Sequence, residues 1–353
     1  MEEMKISSSL YDYSVSFIND FSEQILSFSE KCVFVIDKNV FELYKSSFSI
    51  VDKSKCFFLE PVESKKNIYT VIEIIEFWKS LGVQKNWKVV CIGGGITQDL
   101  TTMASNLYLR NVDWYFFPTT LLSMCDSCIG GKCGINLNEF KNQLGVFYPP
   151  KKIFIDTKFL NTLSVADYIN GWGEILKFSL TLDPEFYEDL KKLEQYVPCS
   201  DIDSYIYRGL KVKKLVIEQD EFDSDYRRVL NYGHSFGHAL EAYTNNVIPH
   251  GQGVIWGIDV ANYIAYKKGL ITNDIYLDIK SVVKKFLNKE FVIENPEKLF
   301  SILKSDKKVK DGVLYFALLN SERKLIVYPV NLDESLFVIF KDYLNETHEY
   351  YNC

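Results

Sequence analysis

Short apolar runs alternate with helix-like segments along the first 156 residues. The runs at 32–37, 56–59, 88–92, 114–117 and 153–156 end at polar or turn residues and predict buried strands. Apolar residues at helical spacing predict helices at 68–81 and at about 97–109. Because strands that alternate with helices are typical of a parallel sheet covered on both faces, we predict an α/β domain here.

The pattern changes after residue 156. From 165 to about 288 the apolar residues recur at helical spacing, with few strand signals. The segments 312–319 and 324–328 predict a late hairpin, and a final helix is expected at about 334–344, followed by a frayed tail. We therefore predict an α/β domain at 1–156 and a mainly α-helical domain at 157–353.

Composition and charge narrow the class of protein. The 353 residues suffice for two cores, and 47% apolar and 25% charged residues are typical of a soluble globular protein. A net charge of −7 argues against nonspecific binding to nucleic acid or anionic membranes. Neither a secretory h-region nor an apolar run of membrane length is visible. The eight scattered cysteines predict reduced thiols in a cytoplasmic protein, and we interpret Cys125 and Cys128, spaced as C-x-x-C, as buried small residues.

Three of the four histidines lie in one short stretch. His234 and His238 are four residues apart and share a helix face, while His250 follows after a predicted loop. A catalytic zinc ion takes three protein ligands and keeps one open position. The alternative is a helix with two histidines on a half-buried face, but three histidines so close together favour a metal site.

The glycine triplet Gly93-Gly94-Gly95 follows a predicted strand and precedes a predicted helix. Such a turn lets the backbone approach a diphosphate, which the free N–H groups of the helix N-terminus can bind. Asp99 follows four residues after Gly95. The triplet is not the G-x-G-x-x-G fingerprint, so a tight turn that needs glycine explains this stretch equally well.

Two further stretches carry polar groups suited to an anionic ligand. Between Thr119 and Asn142 lie hydroxyls, two adjacent glycines and two lysines, which suit a site for hydroxyls and phosphates, although an ordinary polar loop is the alternative. Glu174 and Lys177 stand one helical turn apart. They would form a common surface ion pair if exposed, but apolar neighbours such as Trp172 indicate that this turn is buried.

Taken in order, these motifs resemble those of the 3-dehydroquinate synthases, and more broadly the sugar phosphate cyclase superfamily. The resemblance runs from about Val33 to Lys308. It is carried by Gly93-Gly94-Gly95 with Asp99, Tyr108-Leu109-Arg110, Pro118-Thr119-Thr120-Leu121-Leu122, Asp126-Ser127, Gly130-Gly131-Lys132-Cys133-Gly134-Ile135-Asn136, Lys141-Asn142, Gly173-Glu174 with Lys177, Asn231-Tyr232-Gly233-His234, Gly237-His238-Ala239 with Glu241, and His250-Gly251.

The resemblance implies a Rossmann-like N-terminal domain that binds NAD, a helical C-terminal domain that binds zinc or cobalt(II), and an active site between them. It also implies a homodimer. The implied metal ligands are Glu174, His234 and His250, whereas His238 falls where the family contacts substrate. The implied NAD contacts are Asp37, Glu63, Lys66, Gly94, Gly95, Asp99, Thr119, Thr120, Lys132, Lys141 and Thr162. The implied substrate contacts are Arg110, Asp126, Lys132, Asn142, Lys177, Lys213, Arg227, Asn231, His238 and a lysine of Asp306-Lys307-Lys308.

The implied activity is a phosphate-eliminating carbon–oxygen lyase reaction of the shikimate pathway of aromatic amino acid biosynthesis. It converts 3-deoxy-arabino-heptulosonate 7-phosphate to 3-dehydroquinate and phosphate, through transient oxidation by NAD, elimination, re-reduction and aldol closure. Arg227 stands four residues before Asn231, so we expect both to face one pocket if a helix runs there.

Several residues depart from the family pattern and indicate a divergent branch. They are Thr97-Gln98, Cys133 and Leu137-Asn138. One alternative is therefore a cyclase for another sugar phosphate, such as sedoheptulose 7-phosphate, in a secondary or polysaccharide pathway. A metal-dependent alcohol or glycerol dehydrogenase is disfavoured because Phe178 stands where that family usually has a histidine. A binding protein with a dead site is disfavoured because every implied metal and substrate position is filled.

Overall fold

The computed structural model describes residues 2–28, 31–138, 140–193, 199–245, 247–287, 291–306 and 308–351. It divides into two compact units, Met1–Asp167 and Tyr168–Cys353. The boundary predicted at Asp156 coincides with the end of the last sheet strand, but the first unit continues past it through the 3-10 helix Thr157–Thr162.

This 3-10 helix belongs to the first unit because its side chains pack there. The ring of Phe159 lies 4.5 Å from that of Phe21, centroid to centroid, and Phe159 is buried. The Tyr44 hydroxyl contacts Thr162 Oγ1 at 3.0 Å and donates a hydrogen bond to the Lys158 carbonyl at 2.8 Å. Aromatic packing of this kind was not visible in the strand and helix pattern, which marks regular elements only.

The first unit is built on a seven-stranded sheet in the order β1-β2-β9-β6-β5-β3-β4. The β1–β2 pair is antiparallel and the other neighbours in the sheet are parallel, as in the register Ile36 to Ile92 of β3 and β5. The elements are β1 Met4–Ile6, β2 Tyr13–Phe17, α1 Phe21–Leu26, β3 Cys32–Asp37, α2 Lys38–Leu43, β4 Cys56–Leu59, α3 Ile68–Ser80, β5 Lys88–Gly93, α4 Gly95–Leu107, β6 Trp114–Pro118, β7 Lys132–Leu137, β8 Phe140–Phe147 and β9 Lys152–Ile155.

The order of the strands locates a crevice. From β3 the chain moves to β4 on one side, and then returns to β5 on the other side before continuing to β6 and β9. The carboxyl ends of β3 and β5 therefore flank a topological switch point, which is where ligands bind in open α/β sheets. Every residue of β3 is buried, as expected for a parallel strand covered on both faces.

The predicted parallel α/β architecture is confirmed, but the sequence pattern missed the N-terminal pair β1–β2 and the hairpin β7–β8. β1 has three residues, too few to show an alternating pattern. Most residues of β8 are exposed, so the apolar periodicity that reveals a half-buried strand is absent from this segment.

The second unit is mainly helical, with one two-stranded antiparallel sheet among its described residues. Helix α9 lies at its centre: every residue from Gly251 to Ala265 is buried, as in a helix that is packed on all sides. The elements are α5 Val165–Ser179, α6 Pro184–Lys191, α7 Ile202–Gln219, α8 His234–Tyr243, α9 His250–Lys267, α10 Asn273–Phe286, α11 Pro296–Lys304, β10 Val313–Leu319, β11 Leu325–Asn331 and α12 Glu334–Tyr351.

The C-terminal elements of this unit agree with the prediction except at the tail. The hairpin and the final helix are present, but α12 continues to Tyr351, so the segment expected to fray is helical. Among the described helices, none combines the length and the apolar character needed to cross a membrane.

Candidate active site

Residues implied to bind NAD end three neighbouring strands of the first unit. Asp37 ends β3, Gly94 follows β5, and Thr119 follows β6, so all three lie at the carboxyl edge of the sheet. Asp37 is buried and caps α2 by accepting a hydrogen bond from the Asn39 N–H at 2.8 Å. Burial raises the pKa of this carboxyl group. The structure thus brings these residues to the switch point of the sheet.

The three glycines of the triplet differ in the space that a side chain would find. A Cβ on Gly93 would lie 2.6 Å from Thr97 Cβ, and one on Gly94 would lie 3.0 Å from Thr120 Cγ2. A Cβ on Gly95 would meet nothing within 4 Å. Gly95 is the first residue of α4 and so leaves an open cradle beside the backbone N–H groups of that helix N-terminus. The triplet fits a diphosphate there.

A hydrogen-bonded network joins four of the implied site residues in the first unit. Lys66 Nζ lies 2.6 Å from Asp99 Oδ2 and donates to Asn142 Oδ1 at 3.1 Å. Asn136 donates to Glu63 Oε1 at 2.8 Å and accepts from the Asn142 N–H at 3.0 Å. Burial lowers the pKa of Lys66, but Asp99 outweighs it and raises that pKa overall. The network ties the hairpin β7–β8 to the carboxyl edge of the sheet.

The remaining implied residues of the first unit, apart from Arg110, lie in the segments that follow β6 and β9. Thr120 exchanges hydrogen bonds with Ser123 at the start of the π-helix Ser123–Ser127, which contains Asp126. Lys132 begins β7 and Lys141 lies in β8. Thr162 contacts Tyr44, as described above.

Arg110 is an exception. It follows the C-terminal end of α4, whose thirteen residues span roughly 20 Å at 1.5 Å per residue, and it precedes the amino end of β6. Its backbone carbonyl accepts a hydrogen bond from Lys85, close to the start of β5. Arg110 therefore lies at the amino edge of the sheet, and the structure does not bring it to Gly94 within this chain.

The implied metal ligands converge in the second unit. Glu174 lies in α5, His234 is the first residue of α8, and His250 is the first residue of α9. Glu174 Oε1 lies 3.5 Å from His234 Nε2 and 3.2 Å from His250 Nε2. The ligand nitrogens of His234, His238 and His250 all lie within 4.8 Å of one another.

The donor set fits a divalent cation such as zinc, which binds histidine nitrogens and carboxylate oxygens. The second ring nitrogen of each implied ligand is also occupied: His234 Nδ1 lies 3.1 Å from the Tyr232 carbonyl oxygen, and His250 Nδ1 lies 2.9 Å from Glu241 Oε1. Metal-ligating histidines typically make such a contact, because it fixes the tautomer and directs the other nitrogen to the metal. Both Nε2 atoms here are directed to Glu174.

Burial and charge set the protonation of this cluster. Burial lowers the pKa of His234, and Lys177 lowers it further. Burial alone would lower the pKa of His250, but its contacts with Glu174 and Glu241 raise it to about 10. A protonated His250 would donate one N–H to each of these carboxylates, and a bound cation would displace the proton on Nε2. His238, whose pKa burial lowers to about 4, is neutral near pH 7.

Glycines let the helices that carry these residues approach backbone to backbone. A Cβ on Gly237 would lie 2.8 Å from the Gly253 carbonyl oxygen, and one on Gly257 would overlap the Gly233 carbonyl. A Cβ on Gly173 would overlap the backbone of Gly251. Each implied ligand is the chain neighbour of one of these glycines: Gly173 precedes Glu174, Gly233 precedes His234, and Gly251 follows His250.

Three implied substrate cations of the second unit are buried. Lys177, Lys213 and Arg227 are 2%, 6% and 6% exposed, although lysine and arginine are seldom buried without an anionic partner. Lys177 is paired with the carboxylate of Glu174. Of the implied lysine pair, Lys308 donates to Asn231 Oδ1 at 3.3 Å, while its neighbour at 307 lies outside the described residues.

Arg227 and Asn231 do not share a helix face as expected. They lie in the 3-10 helix Tyr226–Asn231, in which residues four apart are rotated by roughly 120° because a turn holds three residues. The buried carboxylate of Asp220 sets this conformation by accepting from the backbone N–H groups of Ser224 at 2.9 Å and Arg227 at 2.9 Å. Burial opposes the ionisation of Asp220, but these bonds outweigh it and lower its pKa.

Sequence reasoning assigned no role to Glu241, Asp220 or Asn136. A signal for Glu241 was present, since it follows His234 by seven residues and therefore lies on the same helix face. Asp220 carries no comparable signal, because its partners include backbone groups. Asn136 belongs to a motif of the resemblance, but no spacing indicates its contact with Glu63, which comes from another element.

The matches to known proteins extend over most of the chain. The family model described as 3-dehydroquinate synthase N-terminal matches residues 56–170, and that described as 3-dehydroquinate synthase C-terminal matches residues 171–309. A 3-dehydroquinate synthase from Dictyoglomus turgidum is 36% identical over 283 residues, which cover 78% of each chain. The chain belongs to the 3-dehydroquinate synthase family.

Solved structures of sugar phosphate cyclases share the fold of this 3-dehydroquinate synthase family member. A 2-deoxy-scyllo-inosose synthase superposes with a TM-score of 0.85 at 22% identity, over 97% of this chain and 99% of that one. A 2-epi-5-epi-valiolone synthase from Streptomyces hygroscopicus, solved with NAD+ and Zn2+ bound, has a TM-score of 0.83 at 24% identity and covers 99% of both chains.

Two of the residues that depart from the usual 3-dehydroquinate synthase pattern, Gln98 and Cys133, make local contacts here. Gln98 Nε2 donates to the Ser127 carbonyl at 2.7 Å and Gln98 Oε1 accepts from Ser127 Oγ at 2.6 Å. Cys133 is buried, with its sulfur 3.1 Å from the Asp99 carbonyl oxygen. These departures therefore support the positions of neighbouring site residues rather than removing them.

Proposed function

We propose that this protein acts as a 3-dehydroquinate synthase, converting 3-deoxy-arabino-heptulosonate 7-phosphate to 3-dehydroquinate and phosphate in the shikimate pathway. Family membership over most of the chain supports this activity. The observation that carries it is the convergence of Glu174, His234 and His250 from three separate helices, a donor set that suits a catalytic metal.

NAD and a divalent metal, zinc or cobalt(II), are the proposed cofactors. When bound, they supply a transient oxidation of a substrate hydroxyl and a Lewis acid for its oxygen. The first unit would hold NAD through the Gly94-Gly95 turn, Asp37 and the Lys66–Asp99 network. The second unit would hold the metal through Glu174, His234 and His250.

The side chains of the second unit bind and orient the substrate in this proposal. Lys177, Lys213 and Arg227 supply positive charge in a chain of net charge −7, so they concentrate cations where a phosphate and a carboxylate must be held. Asn231 and Lys308, already hydrogen-bonded to each other, offer further contacts to hydroxyls or phosphate. The substrate's own phosphate can accept the proton that is lost on elimination, so the protein contributes largely by positioning.

A homodimer is the proposed assembly. Arg110 is implied to contact substrate, yet it lies at the amino edge of the sheet, opposite the edge that carries Gly94 and Thr119. A second copy of the chain would reconcile these two facts if each copy supplied its Arg110 to the site of the other. The described cysteines are free, which is consistent with the reducing cytoplasm that we propose as the compartment.

One assay tests the function directly. The purified protein, supplied with NAD and Zn2+, is given either 3-deoxy-arabino-heptulosonate 7-phosphate or sedoheptulose 7-phosphate, and phosphate release is followed. We expect release with the first sugar phosphate and no net NADH, because the hydride returns within each turnover. Turnover of sedoheptulose 7-phosphate alone would replace this function by that of another cyclase, and steady NADH accumulation would indicate a dehydrogenase.

A further inference from the structure

The carboxylate of Glu241 holds the side of His250 that faces away from Glu174. Glu241 Oε1 lies 2.9 Å from His250 Nδ1, and His250 Nε2 lies 3.2 Å from Glu174 Oε1. With Nδ1–H donated to Glu241, Nε2 is the ring nitrogen that keeps its lone pair in the neutral imidazole. The Glu241 side chain is 15% exposed, so solvent competes little for this hydrogen bond.

We propose that Glu241 is a positioning residue of the metal site, which orients the His250 ring and fixes the tautomer that presents Nε2 to the metal. The proposal rests on the proposed function, in which His250 is a metal ligand. It assigns Glu241 no contact with metal or substrate.

The two implied histidine ligands have different hydrogen-bond partners at Nδ1, and only that of His250 is a side chain. His234 Nδ1 contacts a neutral backbone carbonyl, that of Tyr232, whereas His250 Nδ1 contacts a carboxylate. A carboxylate partner makes the imidazole a stronger electron-pair donor than a carbonyl does. Substitution at Glu241 also leaves the backbone unchanged, so its contribution can be measured by mutation.

The surrounding elements are arranged to admit this side chain. His234, His238 and Glu241 occupy one face of α8, at intervals of four and three residues. That face meets α9 beside Gly253, where a Cβ would lie 3.4 Å from Glu241 Oε1. Glu241 therefore packs against α9 at Gly253, one turn from His250 at the start of that helix.

The test measures metal affinity rather than turnover. Full-length apoprotein is titrated with Zn2+ in competition with a chelating indicator, for the wild type, Glu241→Gln, Glu241→Ala and the control Glu297→Gln on the exposed first turn of α11. We expect affinity about tenfold weaker for Glu241→Gln, whose amide oxygen can still accept, and up to about 100-fold weaker for Glu241→Ala. The control should bind as the wild type does.

Thermal unfolding separates positioning from a general structural role. The rise in Tm on adding Zn2+ should shrink in both Glu241 variants, while the Tm of each apoprotein stays close to that of wild-type apoprotein. Wild-type Zn2+ affinity in both variants would overturn the proposal, as would an equal loss of Tm with and without metal. A wild-type protein that binds no Zn2+ would instead refute the metal site itself.

Discussion

At the scale of single residues, spacing and the resemblance name different metal ligands, and the structure brings both sets close together. Spacing alone groups His234, His238 and His250, and their ring nitrogens do lie close together. The resemblance replaces His238 by Glu174, and the structure places Glu174 Oε1 within 3.5 Å of both His234 and His250. No local pattern could show this, because Glu174 is sixty residues from His234 along the chain.

The first prediction separates these two ligand sets. His250→Ala removes an implied ligand and should abolish both bound metal and turnover while the fold is retained. His238→Ala should keep stoichiometric metal but lose turnover, because His238 is implied to contact substrate. Metal content by atomic emission and phosphate release measure the two effects. His348→Ala is the control; stoichiometric zinc in His250→Ala would refute the ligand assignment.

The second prediction concerns the substrate carboxylate. A guanidinium can bind a carboxylate with two parallel hydrogen bonds, and such a charge-assisted contact contributes roughly 1.5–3 kcal/mol. Arg227→Met should therefore lower kcat/KM for the carboxylated heptulosonate by about ten- to a hundred-fold. Any weak activity on sedoheptulose 7-phosphate, which has no carboxylate, should scarcely change. Equal losses on both sugars would show that Arg227 binds a group common to both.

At the scale of elements, buried strands were predictable and exposed ones were not. β3 and β5 stand out because they are buried on both faces and so consist of continuous apolar runs. The hairpin β7–β8 carries Lys132, Lys141 and Asn142, and most of β8 is exposed, so its apolar residues show no regular alternation. The sequence pattern also could not predict that Arg227 lies in a 3-10 helix, because hydrogen bonds from backbone N–H groups to Asp220 impose that conformation.

The contact of α8 with α9 is the element-scale feature on which the site depends. Gly233 and Gly237 of one segment face Gly257 and Gly253 of the other at distances that exclude side chains. A helix interior ordinarily disfavours glycine by about 1 kcal/mol relative to alanine. The glycines therefore lower the helix propensity, but they permit a backbone contact that sets the separation of His234 and His250.

The third prediction follows from a graded pair of substitutions on α9. Gly257→Ala would place Cβ on the Gly233 carbonyl, so the helices must separate; we expect a loss of roughly 1–3 kcal/mol in the free energy of unfolding and markedly weaker Zn2+ binding. Gly253→Ala, whose Cβ would lie 3.1 Å from the Gly237 carbonyl oxygen, should cost less because it gains helix propensity. Urea unfolding and zinc titration measure both. An equal loss in the two variants would contradict this account.

At the scale of the whole molecule, the two proposed cofactors belong to different units. The residues proposed for NAD lie within Met1–Asp167, and the residues proposed for the metal lie within Tyr168–Cys353. A ligand stabilises the structure that binds it by an amount that grows with its concentration relative to Kd, about 2.7 kcal/mol at 100-fold excess. Each cofactor should therefore suppress local opening chiefly in its own unit.

The fourth prediction uses amide hydrogen exchange, which reports such local opening. Zn2+ added to apoprotein should slow exchange most in peptides from α5, α8 and the start of α9, because Glu174, His234 and His250 tie these helices together. NAD should slow exchange most at the start of α4, which begins at Gly95. His250→Ala should lose the Zn2+ effect and keep the NAD effect. Zinc protection centred within residues 1–167 would contradict the assignment of the metal to the helical unit, even if the enzyme were active.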